Sequence, residues 1–409
     1  MEFKRYNPIG IEEIELVNKV LESGILSGFV GTWSPKFFGG PYVQEFEKKF
    51  SKYFGVKNAI TFNSWTSGLI AAVGAIGTEP GDEIIVTPWT MSASAIAILH
   101  WNAIPIFADI DPETYCIDPE SIESKITERT KAIISVDLFG QSANTEKLMV
   151  LSEKYNIKLI SDSAQAPGAM RNGKYAGTSA HIGGFSLNYH KHIHTGEGGV
   201  LVTNDDELAN RVRLIRNHAE SVVGDAGIED ITNMVGYNFR MNEIEAAIGI
   251  SQLDKLSSIV NKRQEDINEL EKRLSKLLGL ILPKVDKGNT HVYYTYPFQL
   301  DRKIIKSSKF QVAELLTKAG VPNISTKYGN IHLLPIFQKK IAFGKSGFPW
   351  TYTDNGKNIN YEKGICPVAE NLIDNSFLHF YINDFDLTPG DIDAIASKFE
   401  EVWNSIEFK

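Results

Sequence analysis

FSLNYHKHIHTGEGGVLV, residues 185–202, is the stretch from which the rest of the chain can be read. An apolar run from Gly183 to Leu187 leads to one lysine, Lys191. The turn Gly196-Glu197-Gly198-Gly199 follows, and then a largely β-branched run from Val200 to Thr203. The pattern predicts a strand, a tight loop carrying one amine, a glycine hairpin and a second strand. Glycine tolerates positive φ and lets backbone approach a ligand closely. A lysine shielded from water there loses its proton more easily than a free one, whose pKa is about 10.4. The neutral amine is a nucleophile that forms Schiff bases with carbonyl compounds. A lysine beside glycines is also an ordinary solvated loop residue, and the stretch alone does not decide. His190, His192 and His194 alternate around it and would share one face of a strand. No carboxylate or cysteine stands at ligand spacing and the lysine would repel a cation, so no metal is expected.

At 409 residues the chain is too long for one small domain. The expected division is a large domain over 1–255, with its N-terminal segment, and a small one over 256–409. Acidic residues outnumber basic ones, 50 to 42, which argues against a nucleic-acid or acidic-membrane partner. Two distant cysteines, Cys116 and Cys366, imply no disulfide framework. MEFKRYNPIG has no apolar signal core and no window approaches a membrane span, so a soluble cytoplasmic protein is expected.

Outward from Lys191, β-type runs alternate with helical ones: 58–62, 83–87, 104–108, 131–136 and 157–161 against helices near 65–76, 92–101 and 145–155. That alternation predicts an α/β fold with a mostly parallel sheet, covered on both faces. Ligands of such sheets sit at the carboxyl ends of the strands. Asp162 stands at one of these ends and needs a partner: a protonated ring nitrogen, an arginine or a helix N-terminus. Ser64-Trp65-Thr66-Ser67 passes from a strand into a helix, which suits a phosphate or merely a helix cap. Towards the C-terminus, Leu253, Leu256, Val260, Ile267, Leu270, Leu274 and Leu277 predict one long helix joining two domains. A small α+β domain follows, with a strand over 292–299 and helices over 309–319 and 391–406. Residues 26–42 and 338–363, rich in glycine and aromatics, read as loops of the kind that border a pocket or form a lid.

A phosphate site at 64–67, a carboxylate at 162 and an amine at 191 together are what pyridoxal phosphate requires. At five motifs the chain resembles the DegT/DnrJ/EryC1/StrS sugar aminotransferases, enzymes of fold type I: EPGDEIIVTP (79–88), ISDSAQAPGA (160–169), FSLNYHKHIHTGEGG (185–199), GYNFRMNEIEAAIG (236–249) and CPVAE (366–370). The resemblance covers about residues 10–380. It implies a large domain with a mostly parallel, seven-stranded-type sheet, plus a small C-terminal α+β domain. It implies that Lys191 carries the cofactor covalently, that Asp162 pairs with its pyridine nitrogen and that Gln165 lies near its ring hydroxyl. Trp65 and Thr66 would occupy the phosphate turn, with Ser186 adding a hydroxyl. Asn238 would reach the phosphate from the neighbouring subunit of a homodimer. Two positions depart from the pattern. Trp65 is bulky where a small residue is usual, and Met91 stands where an aromatic stacks on the ring, leaving Met91 or Trp89 for that place.

The implied reaction has two halves, with pyridoxamine phosphate between them. L-glutamate gives its amino group and leaves as 2-oxoglutarate. A keto-sugar on a nucleoside diphosphate then takes the amine, on the way to a surface polysaccharide or secondary metabolite. A related dehydratase has a histidine at the lysine position; counting back five residues from Gly196 lands on Lys191, which favours transamination. A keto-cyclitol or a nucleotide-free keto-sugar is an alternative acceptor. A non-catalytic regulator would need a DNA-binding region that the acidic chain does not offer.

Overall fold

The computed structural model describes residues 3–409. The N-terminal segment carries α1 (Ile11–Ser23), ended by Gly24 in the left-handed region, and α2 (Pro41–Phe54), opened by a proline. Between these helices the loop expected over 26–42 runs only to Gly40, with a single helical turn at Pro35–Phe38, because Pro41 opens α2. The sheet region then runs β1 (Asn58–Phe62), α3 (Trp65–Ala75), β2 (Glu83–Val86), α4 (Ala93–His100), β3 (Ile104–Phe107), α5 (Pro119–Glu123), β4 (Thr130–Val136), α6 (Thr145–Tyr155) and β5 (Lys158–Asp162). A two-residue pair, β6 (Met170–Arg171) and β7 (Lys174–Tyr175), precedes β8 (Ile182–Ser186) and β9 (Gly199–Thr203).

Seven of these strands form one sheet, in the order β1-β9-β8-β5-β4-β2-β3. β8, β5, β4, β2 and β3 pair in parallel; β9 alone runs against its neighbours β8 and β1. The β4 and β5 segments are buried on both faces, as the near-continuous apolar runs of a covered parallel sheet require. On one face Phe185 of β8 packs 5.5 Å from Phe50 and 4.6 Å from Phe54, which anchors α2. Burying each such ring contributes about 2–3 kcal/mol. The connection from Leu187 to Gly198 closes through bonds from the Leu187 amide to Gly198 and from the Thr195 amide to Leu187. Gly196 and Gly198 take φ of 88° and 149°, conformations that L side chains rarely adopt.

The chain continues with α7 (Asp206–Arg216) and α8 (Glu243–Leu274). Asn242 and Glu245 close a capping box at the start of α8. Leu253, Leu256 and Val260 lie in the core beneath the large sheet; Ile267, Leu270 and Leu274 lie in a second core. Leu277 falls past the helix end and only half-packs. The stripe therefore joins two cores of one chain. The second core is covered by an antiparallel sheet, β10 (Leu280–Ile281), β11 (Tyr296–Leu300), β12 (Ile324–Ser325) and β13 (Phe377–Phe380), in the order β10-β11-β13-β12. Its helices are α9 (Lys309–Ala319) and, after three short ones, α10 (Pro335–Gln338), α11 (Asp354–Asn358) and α12 (Pro367–Asn371), the final α13 (Pro389–Trp403).

Two sequence expectations change here. The strand expected from 292 begins only at Tyr296, because the Val292 and Tyr294 amides bond instead to the carbonyls of Gly140 and Phe139. Tyr293 between them has φ 49°. Residues 338–363 form no lid over the lysine loop. Trp350 and Tyr361 are buried; the Trp350 indole donates to the Tyr361 hydroxyl, which donates to the Pro105 carbonyl of β3. The segment is packed against the far edge of the large sheet.

Candidate active site

A cavity of about 570 Å³ opens at the carboxyl ends of β1, β2, β5 and β8. Each contributes the turn that follows it: Ser64 to Thr66, Thr90 to Ala93, Asp162 to Gln165, and Ser186 to Lys191. The far wall is aromatic, from Tyr294, Tyr328 and Tyr381.

Lys191 is 7% exposed, and its Nζ lies 4.3 Å from the centroid of the Tyr294 ring. Burial lowers its pKa to about 8, against the opposing pull of the Asp162 charge. Its ammonium has no hydrogen-bond acceptor among the described residues. Asp162, the last residue of β5, is 4% exposed. Its Oδ1 accepts from the Trp65 indole at 2.8 Å and the Ala164 amide at 3.2 Å; its Oδ2 accepts from Ser94 Oγ at 2.7 Å. Burial raises its pKa, and these three donors together with Lys191 oppose the rise. The result is a carboxylate held in place by three donors, on the same cavity wall as the amine, with burial still outweighing the support its charge receives.

The bulk of Trp65 is accommodated by glycines. A Cβ at Gly184 would stand 2.0 Å from the indole, and one at Gly68 2.6 Å from it. The ring therefore tucks against β8 and turns its N–H to Asp162. Ser64 caps α3 by accepting from the Ser67 amide, while the Trp65 and Thr66 amides have no acceptor among the described residues. That open helix end faces the cavity. Gln165 accepts from the Phe139 amide at 2.9 Å and donates to the Tyr328 hydroxyl at 3.1 Å. Ser186 ends β8 and lines the cavity, its Oγ accepting from the Asn188 amide.

Met91 lines the cavity and is 69% exposed. Trp89 does not: its ring is fully buried against Phe377 and Tyr115, and its indole donates to Asn330 at 2.7 Å. Asn238 is not among the walls in its own chain; it accepts from Arg240 at 2.7 Å. The three histidines do not share a face. His190 lines the cavity, with burial lowering its pKa to about 4. His192 Nε2 pairs with the Val292 carbonyl, and His194 Nδ1 accepts from the Gly196 amide. Residues 26–42 and 338–363 are absent from the walls. Glu243 instead holds the first of these segments, accepting from the Gly40 and Tyr42 amides.

Sequence reasoning passed over Ser94, Tyr294, Tyr328 and Tyr381. Ser94 had a local signal, a hydroxyl in the first turn of a helix that follows a strand. The tyrosines had none. An unpaired buried amine, a supported carboxylate and open helix amides match an aldehyde, a basic ring nitrogen and a phosphate, so the residues present fit pyridoxal phosphate.

Residues 10–355 match the profile of the DegT/DnrJ/EryC1/StrS aminotransferase family. The spore coat polysaccharide biosynthesis protein SpsC of Bacillus subtilis is 32% identical over 347 residues, 83% of this chain and 86% of its own. The GDP-perosamine synthase of Caulobacter vibrioides is 35% identical over 72% of this chain and 78% of its own. Among solved structures, an aminotransferase from Psychrobacter cryohalolentis superposes with a TM-score of 0.83 at 26% identity, over 99% of this chain and 100% of that one. No helix of the described residues is long and apolar enough to cross a membrane.

Proposed function

The chain belongs to the DegT/DnrJ/EryC1/StrS aminotransferase family, whose relatives here are sugar aminotransferases, and on that premise we propose a cytoplasmic, pyridoxal-phosphate-dependent homodimer that moves an amino group from L-glutamate to a keto-sugar carried on a nucleoside diphosphate. The observation that carries the reading is Lys191, a buried amine without an acceptor, facing a carboxylate held by three donors.

Pyridoxal phosphate would supply an electrophilic aldehyde and an electron-withdrawing ring. Lys191 Nζ would hold the aldehyde and, once the substrate amine has displaced it, would move a proton between the substrate carbon and the cofactor. A pKa of about 8 leaves part of the amine unprotonated near neutral pH, as a base requires. Asp162 would keep a proton on the ring nitrogen. The Trp65 and Thr66 amides and the Ser186 hydroxyl would receive the phosphate, with Asn238 of the partner subunit completing that site. Gln165 would face the ring hydroxyl, and Met91 would lay its thioether on the ring. A lysine rather than a histidine at 191 supports amine transfer over the dehydratase alternative.

The test mixes the protein with pyridoxal phosphate and L-glutamate and follows the cofactor absorbance. Nucleotide-linked keto-sugars and a keto-cyclitol are then added as acceptors. A glutamate-driven change reversed by a nucleotide-linked keto-sugar is expected; no change with glutamate sinks the reading. Mixing Lys191→Ala with Asn238→Ala subunits tests the shared site, since mixed dimers would regain one intact site.

A further inference from the structure

A second cavity, of about 340 Å³, lies between the N-terminal segment, α8 and the stretch after β13. Arg263 of α8 lines it and is 6% exposed. No carboxylate of the described residues is within ion-pair reach of this guanidinium. Its hydrogen bonding is one long contact, 3.5 Å from Nη1 to the Tyr293 carbonyl, and its Cζ lies 5.5 Å from the Tyr6 ring. A guanidinium has five N–H donors, so most of its capacity is unused. Burial lowers its pKa to about 10, against the weaker opposing pull of Tyr6, Asp266 and Asp384, none of which bonds to it.

The other charges on these walls are paired: Lys262 with Asp266, Lys255 with Glu13, and Asp386 with Lys4, each at 2.7 Å. The remaining surface is largely apolar, from Ile259, Ile382, Phe385 and Leu387. One unpaired planar cation beside apolar walls suits a ligand with an oxyanion at one end and a hydrophobic body at the other. We infer that this cavity is a binding site for a small organic anion, with its carboxylate or phosphate on Arg263 and its body against Phe385 and Leu387. The site borders the lysine loop. The Tyr6 hydroxyl donates to the His192 carbonyl at 2.6 Å, and Tyr293, whose carbonyl Arg263 touches, precedes Tyr294 beneath Lys191. An occupant would press on both neighbours of the reactive amine.

Calorimetric titration of the full chain with benzoate, and separately with inorganic phosphate, tests this without any cofactor. Saturable binding of benzoate at one site per chain is expected; phosphate binding without benzoate binding assigns the cavity to a free phosphoryl group only if Ser258→Trp abolishes it, since phosphate that Ser258→Trp leaves bound sits at the open end of α3 and overturns the site. Arg263→Gln should weaken binding at least about tenfold. Ser258→Trp, an exposed position on the rim, should block it equally while leaving Arg263 in place, and serves if Arg263→Gln fails to fold. No saturable binding of either probe overturns the site. Unchanged affinity in Ser258→Trp overturns it too, because the anion then sits elsewhere.

Discussion

Lys191 and Lys309 are the two buried lysines among the described residues, 7% and 2% exposed, in regions that use them differently. Lys309 opens α9 and donates to the carbonyl of Thr326 at 2.8 Å and to that of Ile373. Those carbonyls replace water around the ammonium and tie the start of α9 to two later segments of the chain. Lys191 lies in a loop with a tyrosine face beneath it and no acceptor. Burial lowers both pKa values, but only Lys191 is left with nothing except the distant charge of Asp162 to support its proton. Burial alone does not make a lysine reactive; burial with acceptors withheld does.

The contrast breaks most visibly at Lys191→Ala. Turnover should vanish together with borohydride trapping of the cofactor, and the melting temperature should hold or rise because an unsupported buried cation has gone. Trapping retained at another lysine refutes the assignment. The next largest effect is pH-dependent. The folded pKa of about 8 lies below the ordinary 10.5, so between these values the unfolded chain binds more protons and stability climbs with pH. The gap corresponds to about 3 kcal/mol. Lys191→Met should therefore be more stable than the parent near neutral pH and lose that advantage towards pH 10.5, read from urea midpoints; a constant difference would contradict the pKa. Lys309→Ala should instead cost about 2 kcal/mol near neutral pH, because two carbonyls lose their donor. A smaller effect belongs to Trp65→Phe, which fills the same glycine-lined space without the N–H. It should cost about 1 kcal/mol in denaturant unfolding, and no cost would mean that Ser94 and Ala164 suffice for Asp162.

Lys191 and Asp162 were legible in the sequence because each belongs to local chemistry: a glycine hairpin for one, a strand end for the other. What holds them was not. The Trp65 and Ser94 bonds to Asp162 span 97 and 68 residues, and no local pattern encodes them. Trp89 and Met91 could not be separated in the sequence, since Asn330, 241 residues from Trp89, draws its indole out of the cavity. The strand and helix alternation fixed the large sheet almost residue by residue, because strand burial on both faces leaves apolar runs. Residues 338–363 read as a free loop because glycines and aromatics mark turns as readily as anchors. Only Pro105, across the chain, reveals Tyr361 as an anchor.

The reversed strand β9 also sets a timetable for synthesis. β1 finds its only sheet partner in β9, and that partner leaves the ribosome about 140 residues later. At about 5–20 residues per second, β1 waits roughly 7–30 s with its hydrogen-bonding edge open. Unpaired edges are templates for aggregation. The newborn chain is thus most vulnerable before Gly199 emerges, and the strand that follows the reactive lysine's loop is also the one whose arrival joins β1 to the rest of the sheet.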